Sequence, residues 1–261
     1  MTTPTTISPL PTTTPAACSG YCRRCGRDHI LKPGKSRKAA LALMAELEKK
    51  GRIDLQATDQ EADPHNNLDY LYGPALGQMF GVLEYQAPDG SIGVLRAFSG
   101  QYNGRWQVPG WVPPLFSEKM WQKANYTTER QIKTLGRRIE QLAGNDHHRL
   151  ELQQERRTLS QRLMKDLHAV YRLSNFRGES KSLMDVFQGK GGIPTGTGDC
   201  CAPKLLNYAA RHKLVPLGIS EFYMGRQNRS QTRQHGVFYP SCTGKCHPIL
   251  GFMLCGLEDL R

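Results

Sequence analysis

The chain has 261 residues, of which 38% are hydrophobic, and a formal net charge of +12. The length and the apolar fraction are sufficient for a globular core, and the positive charge favours an anionic partner such as nucleic acid. No stretch approaches the roughly 18 apolar residues that a membrane span requires, and the N-terminus lacks the pattern of a signal peptide, so we predict no membrane partner and a cytoplasmic location.

The N-terminal part combines a polar tail with a cysteine motif. Residues 1–17 are Thr/Pro-rich and nearly uncharged, which predicts a flexible tail. Residues 18–65 form the next segment, a zinc knuckle followed by a helix over 36–50. The expected ligands of this closed, structural zinc site are Cys18, Cys22, Cys25 and His29. The alternatives are a redox site, or three ligands with Cys18 left in the tail.

A β-hairpin is predicted in the next segment, residues 66–116. The apolar runs 79–85 and 92–98 are joined by a turn that contains Asp89-Gly90, and this dipeptide between apolar runs is a strong hairpin signal. The two runs should therefore pair as antiparallel strands of the core.

Residues 117–175 are predicted to form an antiparallel helical hairpin inserted into the core. Their apolar residues follow a heptad-like spacing that is interrupted at Gly144-Asn145. The basic side chains on the outer faces include Arg137, Arg138, Arg156 and Arg157. Such faces are either simply solvated or in contact with the RNA backbone.

Two cysteine clusters occur in the last segment, residues 176–261. Cys200 and Cys201 form the first cluster, and Cys242 and Cys246 form the second. Each cluster precedes an apolar stretch with helical spacing and a proline in its first turn. We therefore expect these thiolates at helix N-termini, where the helix dipole favours them.

A strand is predicted over 214–224, between the two clusters. A ligand at one helix start, a crossing strand and a cysteine pair at the next helix start reproduce the order of elements in the cytidine deaminase fold. We therefore predict an α/β class, with a cytidine-deaminase-like three-layer fold, the helical-hairpin insertion and the N-terminal zinc knuckle.

Zinc in such a fold is held by three protein ligands, and the fourth position is left to water. The expected ligands are Cys200, Cys242 and Cys246, with Cys201 as the next candidate. The alternative is that all four cysteines make a closed structural site without catalysis.

Hydrolytic deamination also requires a carboxylate that moves protons. The usual signature places a Glu two residues after the first ligand, where this chain has Ala202. Asp199 is the first candidate and Glu221 the second. Their alternative roles are a helix N-cap for Asp199 and an ion pair with a nearby arginine for Glu221.

RNA contacts are predicted around the same site. The polar stretch 226–236 should overhang the zinc and grip phosphates, which supply most of the affinity for RNA. The candidate contacts are Arg226, Arg229, Arg233, Lys204 and Lys245. Phe238 and Tyr239 would either stack on the base or pack in the core.

Several motifs, together with the helical insertion, carry a resemblance to a known family. They lie at 77–83, 97–100, 177–183, 196–206, 221–225 and 238–251. Over roughly residues 70–258, the chain resembles the N-terminal, deaminase-like region of long pseudouridine synthases. In that family the region precedes a synthase domain, and some members edit a tRNA cytidine to uridine before isomerising it.

The resemblance implies roles for particular residues. Asp199-Cys200 take the family's acidic-Cys positions, and Cys242 and Cys246 take its paired-Cys positions. Family members often have a single Cys in the first motif, which favours Cys200 over Cys201.

We therefore expect a zinc-dependent deaminase that acts on cytidine in tRNA or another structured RNA. The chain ends at Arg261, which leaves no room for a synthase domain, so we do not expect it to make pseudouridine itself. One alternative is a non-catalytic zinc- and tRNA-binding module that acts with a separate pseudouridine synthase. The other is a deaminase of adenosine or of a free nucleoside, although a free nucleoside requires no extended phosphate-binding surface.

Overall fold

A computed structural model describes residues 18–144 and 146–260 of the chain. The tail predicted over 1–17 lies outside the described residues. The strands are β1 (Cys18–Cys22), β2 (Arg27–Leu31), β3 (Gln78–Gln86), β4 (Ile92–Phe98), β5 (Arg172–Ser174), β6 (Ser180–Ser182), β7 (Val215–Met224) and β8 (Phe238–Tyr239). The helices are α1 (Ser36–Lys50), α2 (Glu118–Gln141), α3 (His147–Val170), α4 (Leu183–Val186), α5 (Cys201–Arg211) and α6 (His247–Met253), and short 3₁₀ helices lie at Pro64–Asn66, Leu68–Tyr72 and Leu257–Leu260.

A four-stranded antiparallel sheet forms the centre of the fold, in the order β4-β3-β7-β8. The turn between β3 and β4 is closed by Asp89, whose carboxylate accepts hydrogen bonds from the backbone N–H and hydroxyl of Ser91. Gly90 supplies the left-handed conformation that this turn requires, with φ +85°. The predicted hairpin and the strand predicted over 214–224 are both confirmed.

Helices cover both faces of this sheet. Leu47 of α1 packs against Phe80 and Phe222 on one face. Leu205 of α5 packs against Leu83 on the opposite face, which is expected because side chains of a strand alternate between its two faces. The molecule is therefore a mixed α/β protein with helix, sheet and helix layers, as predicted for the class.

The predicted helical hairpin is present as α2 and α3, which pack along each other. Leu135 and Ile139 of α2 and Leu152 of α3 are buried between the two helices. The 24-residue helices α2 and α3 are long but rich in charged residues, and no helix within 18–144 and 146–260 is long and apolar enough to cross a membrane.

A second hairpin, β1 with β2, packs against α6. Two glycines make this approach possible. A Cβ on Gly251 would lie 1.8 Å from the carbonyl oxygen of Tyr21, and a Cβ on Gly20 would lie 2.3 Å from the backbone nitrogen of Gly251. The N-terminal hairpin and α6 therefore form one packed unit.

Candidate functional site

Three cysteines from two parts of the chain lie near one another beside the sheet; we call Cys200, Cys242 and Cys246 the thiol cluster. Cys200 is the N-cap of α5, and Cys246 is the N-cap of α6. Cys242 precedes α6, and its carbonyl accepts hydrogen bonds from the backbone N–H groups of Cys246 and His247 at 3.2 and 3.0 Å. The sequence prediction that both cysteine clusters lie at helix starts is confirmed.

The three thiols of this cluster lie near enough to one another to shift each other's pKa. Interaction with Cys242 raises the pKa of Cys200 to about 12. Interaction with Cys200 and Cys246 lowers the pKa of Cys242 far below its ordinary value. Cys242 is therefore the first thiol of the cluster to lose its proton, and the thiolate is the form of cysteine that binds metal.

Cys201 is not part of the thiol cluster. Its thiol is fully buried and donates to the carbonyl oxygens of Met79 and Ala97 at 3.3 and 3.6 Å. Gly81 allows this approach, because a Cβ there would lie 2.6 Å from the Cys201 Cβ. The structure thus separates the two adjacent cysteines, and a closed set of Cys200, Cys201, Cys242 and Cys246 is not formed.

Glu221 is the carboxylate that faces the thiol cluster. It lies on β7 directly opposite Gly81 of β3, so the start of α5 packs beside it. Its side chain is buried and accepts a hydrogen bond from the Ser241 hydroxyl at 2.7 Å. Burial raises the pKa of Glu221 to about 7, and the nearby Cys242 adds to this effect.

Asp199 has different partners. Its carboxylate accepts a hydrogen bond from the Tyr171 hydroxyl at 2.7 Å, and Lys204 and Lys245 lie near enough to stabilise its charge. Burial nevertheless raises the pKa of Asp199. Cys200, and not Asp199, occupies the N-cap position of α5, so the capping role considered for Asp199 is not observed.

Lys204 is not available to RNA, contrary to prediction. The residue is 1% exposed, and its ammonium donates to the carbonyl oxygens of Phe98 and Gly100 at 2.9 and 2.7 Å. The ring of Phe98 also lies 4.8 Å from Nζ. Burial lowers the pKa of Lys204 to about 8. This lysine ties the start of α5 to the end of β4.

The predicted arginines around the site fall into two groups. Arg226 and Arg229 are exposed, as is Lys245. Arg233 is half-buried, its guanidinium lies 4.0 Å from the centre of the Tyr239 ring, and its charge stabilises Glu221.

The aromatic pair predicted as stacking or core residues forms the edge strand β8. Arg37 stacks on Phe238 at 4.2 Å, as Arg233 does on Tyr239, and both rings are partly buried. The rings therefore carry guanidinium groups on their outer sides rather than presenting bare faces.

A second cluster lies at the N-terminal hairpin; we call Cys22, Cys25, His29 and Cys255 the knuckle cluster. Their ligand atoms all lie within 4.8 Å of one another, and among the described residues this is the one group of at least three His, Cys, Asp or Glu side chains that does so. The sulfur atoms of the thiol cluster do not all lie this close to one another. The knuckle cluster could hold a metal ion.

This geometry corrects the predicted ligand set at the knuckle. Cys18 does not belong to it, because its buried thiol hydrogen-bonds to Ser241 beside Glu221, and burial raises its pKa to about 12. Cys255 follows α6 and completes the group. In β1 the side chains of Cys18 and Cys22 are both buried, yet only Cys22 belongs to the knuckle cluster, while Cys18 lies beside Ser241 and Glu221.

Comparison with known proteins does not assign the chain to a family. No family model matches it, and no curated protein or solved structure matches it. The resemblance to the deaminase-like region of pseudouridine synthases stays a prediction from the sequence, and the site is interpreted from its own contacts.

Three residues in or beside the two clusters were not predicted from the sequence. Ser241 and Tyr171 hold the two carboxylates, and neither lies in a pattern that marks such a role. Cys255 had a usable signal, because it was the one cysteine without a neighbouring cysteine in the chain. A cysteine that stands alone in the sequence is a candidate ligand when the chain also carries an incomplete set of metal ligands elsewhere.

Proposed function

We propose that the protein is a zinc-dependent deaminase that converts cytidine to uridine in RNA, with tRNA as the substrate class. One observation carries the proposal: the buried Glu221 carboxylate lies beside the thiol cluster and is held there by Ser241. The order of elements supports it, because Cys200 starts one helix, Glu221 lies on the next strand, and Cys246 starts the following helix. We propose a cytidine-deaminase-like core on the same ground.

Zinc would be held by Cys200, Cys242 and Cys246. Thiolates are preferred zinc ligands, and a catalytic zinc site has three protein ligands with the fourth position open. Cys200 and Cys242 are partly exposed, which leaves the cluster accessible from outside. When bound, zinc supplies a nucleophile at neutral pH by lowering the pKa of water.

Glu221 would move the protons of the reaction. Deamination forms a C–O bond at C4 of cytosine and breaks the bond from C4 to the exocyclic nitrogen, and ammonia leaves. Both protons of the attacking water must be transferred, one to the ring nitrogen N3 and the other to the leaving exocyclic nitrogen. The Ser241 hydroxyl fixes the orientation of the Glu221 carboxylate for this transfer. Asp199 would act as a positioning residue that holds Tyr171 at the start of α5.

An RNA substrate is supported by the charges outside the cluster. Three of these side chains are exposed and lie near Cys242 and Cys246 in the sequence, namely Arg226, Arg229 and Lys245. Helices α2 and α3 carry four further exposed side chains that are predicted to contact RNA. These are Arg137, Arg138, Arg156 and Arg157. Phosphate contacts from such side chains supply most of the affinity for RNA.

A second candidate is a non-catalytic zinc- and tRNA-binding module that delivers RNA to a separate pseudouridine synthase. The observation that favours it is the burial of Glu221, which is 5% exposed and already engaged by Ser241. A structural role in holding the Ser241–Cys246 segment against the sheet would explain the same contacts.

The test is sequencing of tRNA from cells that express the protein or its variants, with C-to-T and A-to-G changes scored in the cDNA. We expect C-to-T changes with the parent protein. Glu221→Gln should reduce them by roughly 100-fold or more, because a general acid–base group contributes at least that factor. Asp199→Asn is the matched control, and it should retain most of the activity.

Zinc content and tRNA binding of the purified variants are measured alongside. If the Glu221→Gln variant loses editing but still binds zinc and tRNA, the deaminase proposal is supported. Unchanged editing in Glu221→Gln would contradict the proton-transfer role. Absence of any base change, with tRNA still bound by the parent protein, would favour the binding module, and A-to-G changes would assign adenosine as the base.

A further inference from the structure

The knuckle cluster contains a complete set of zinc-binding side chains. Cys22 and Cys25 lie at the end of β1 and in the following turn, His29 lies on β2, and Cys255 follows α6. Cys22, His29 and Cys255 are buried, and Cys25 is half-buried. The Cys25 and Cys255 sulfur atoms are 3.6 Å apart, which is too long for a disulfide bond.

A tight turn connects Cys22 to Cys25 of the knuckle cluster. Gly26 adopts a left-handed conformation with φ +66°, and its N–H donates to the Cys22 carbonyl at 2.9 Å. This turn brings Cys22 and Cys25 to the same side of the hairpin. The C-x₂-C spacing is the usual one in closed zinc sites.

The imidazole of His29 supplies an independent observation. Within the described residues, neither ring nitrogen of this 3% exposed side chain has a hydrogen-bond partner. Buried polar groups without partners are rare and require an explanation. The Nδ1 atom lies 3.5 Å from a carboxylate oxygen of Glu258, so Nε2 is the ring nitrogen left for a ligand. A carboxylate next to the second nitrogen is the usual support of a zinc-binding histidine.

We propose that the knuckle cluster binds one structural zinc ion through the thiolates of Cys22, Cys25 and Cys255 and through Nε2 of His29. Four protein ligands fill the tetrahedron, so this site has no position for water or substrate. Three thiolates and one Zn²⁺ leave a net charge of −1. The Arg177 guanidinium, which hydrogen-bonds to Cys255, offsets it, and Arg27 pairs with Glu258 behind the histidine.

The ion would hold α6 in place. Cys255 lies just beyond the C-terminal end of α6, and Cys246 of the thiol cluster is its N-cap. The hairpin that carries the other three ligands packs along this helix through Gly20 and Gly251. The structural zinc therefore fixes the helix on which the second cysteine motif depends. This role does not rest on the proposed deaminase activity.

The test is zinc content per chain, measured by elemental analysis of purified protein. Cys255→Ala should lose one equivalent relative to the parent. Cys18→Ala is the matched control, since Cys18 is equally buried and belongs to the ligand set predicted from sequence. It should lose none. Cys18→Ala that loses the zinc while Cys255→Ala retains it would overturn the assignment.

Two further measurements keep the test decisive if Cys255→Ala does not fold. Cys242→Ser, which lacks a ligand of the thiol cluster, should show thiolate charge-transfer absorption when loaded with Co²⁺, and His29→Cys added to Cys242→Ser should retain the metal with a red-shifted spectrum. A parent that carries a Cys25–Cys255 disulfide by mass spectrometry would refute the zinc site. Cys242→Ser should keep this zinc ion, so the knuckle site and the deaminase proposal fail independently of each other.

Discussion

His168 is a buried histidine outside both clusters. It lies on α3, is 7% exposed, and its Nε2 atom has no hydrogen-bond partner among the described residues. Burial lowers its pKa from the ordinary value of 6.5. Neutral His168 is therefore favoured in the folded state, and its contribution to stability is present above about pH 6.5 and is lost as the pH falls from there through the lower folded pKa.

We predict that removing this group weakens the acid sensitivity of the fold. Between pH 7.5 and 5, the parent should lose more unfolding free energy than His168→Met, because only the parent must charge a buried imidazole on acidification. Denaturant titrations at several pH values measure this difference. His147→Gln, at a side chain that is 87% exposed, should keep the acid sensitivity of the parent. Parallel pH profiles for the parent and His168→Met would contradict the prediction.

Single residues were the least predictable level of this molecule. Asp199 and Lys204 stand beside or near Cys200 in the chain, yet the side chain that faces the thiol cluster is Glu221, from another element. Adjacency in sequence says little about direction, because successive residues at a helix start point in different directions. Cys200 and Cys201 show the same effect, since one joins the thiol cluster and the other donates to the sheet.

Helix α6 owes its position to the absence of a side chain. Gly251 contacts the backbone of β1 so closely that a Cβ would overlap the Tyr21 carbonyl. Gly136, in the middle of α2, has only Arg156 within 4 Å of a Cβ, at 3.8 Å. Both glycines are helical, so replacement by alanine gains the same helix propensity at each position. The difference between the two changes in unfolding free energy therefore reports the close contact at Gly251.

We predict opposite effects of alanine at these two positions. Gly136→Ala should stabilise the protein by about 0.5–1 kcal/mol. Gly251→Ala should destabilise it by about 1–3 kcal/mol or more, because the hairpin must move away from α6. Denaturant unfolding measures both. A neutral or stabilising Gly251→Ala would show that the hairpin does not pack on α6 as described.

Whole elements followed from the sequence more closely than individual side chains did. The apolar periodicity and the Asp-Gly turn predicted α1, the β3–β4 hairpin, α2, α3 and β7. These signals are local and repeated, so one unusual residue does not obscure them. The pairing of Cys255 with the N-terminal knuckle is a contact across 230 positions, and no local pattern reports it.

The charge of the whole molecule leads to a prediction about binding. Arg137, Arg138, Arg156 and Arg157 are all exposed on the helical hairpin, and Arg226 and Arg229 are exposed in the loop after β7. Neutralising RNA phosphates releases counterions, so each contact steepens the dependence of affinity on salt.

We predict that both groups of arginines contact tRNA. Replacing the four hairpin arginines by glutamine should weaken tRNA binding and reduce the salt slope by about 0.7–0.9 for each lost contact. The double variant Arg226→Gln, Arg229→Gln should also weaken tRNA binding and reduce the salt slope, by the amount expected for the loss of at most two contacts. Binding titrations at several salt concentrations measure the slopes, and unchanged melting temperatures exclude unfolding. An unchanged slope in either set would assign that face to solvent.

The knuckle cluster joins parts of the chain that are synthesised at different times. Cys25 and Cys255 are 230 positions apart, and a ribosome adds about 5–20 residues per second, so the hairpin emerges roughly ten to fifty seconds before its last partner. During that interval the nascent chain carries an incomplete knuckle cluster. The arrival of Cys255 completes the cluster, so the N-terminal hairpin can be locked onto the region that follows α6 only after Cys255 has emerged.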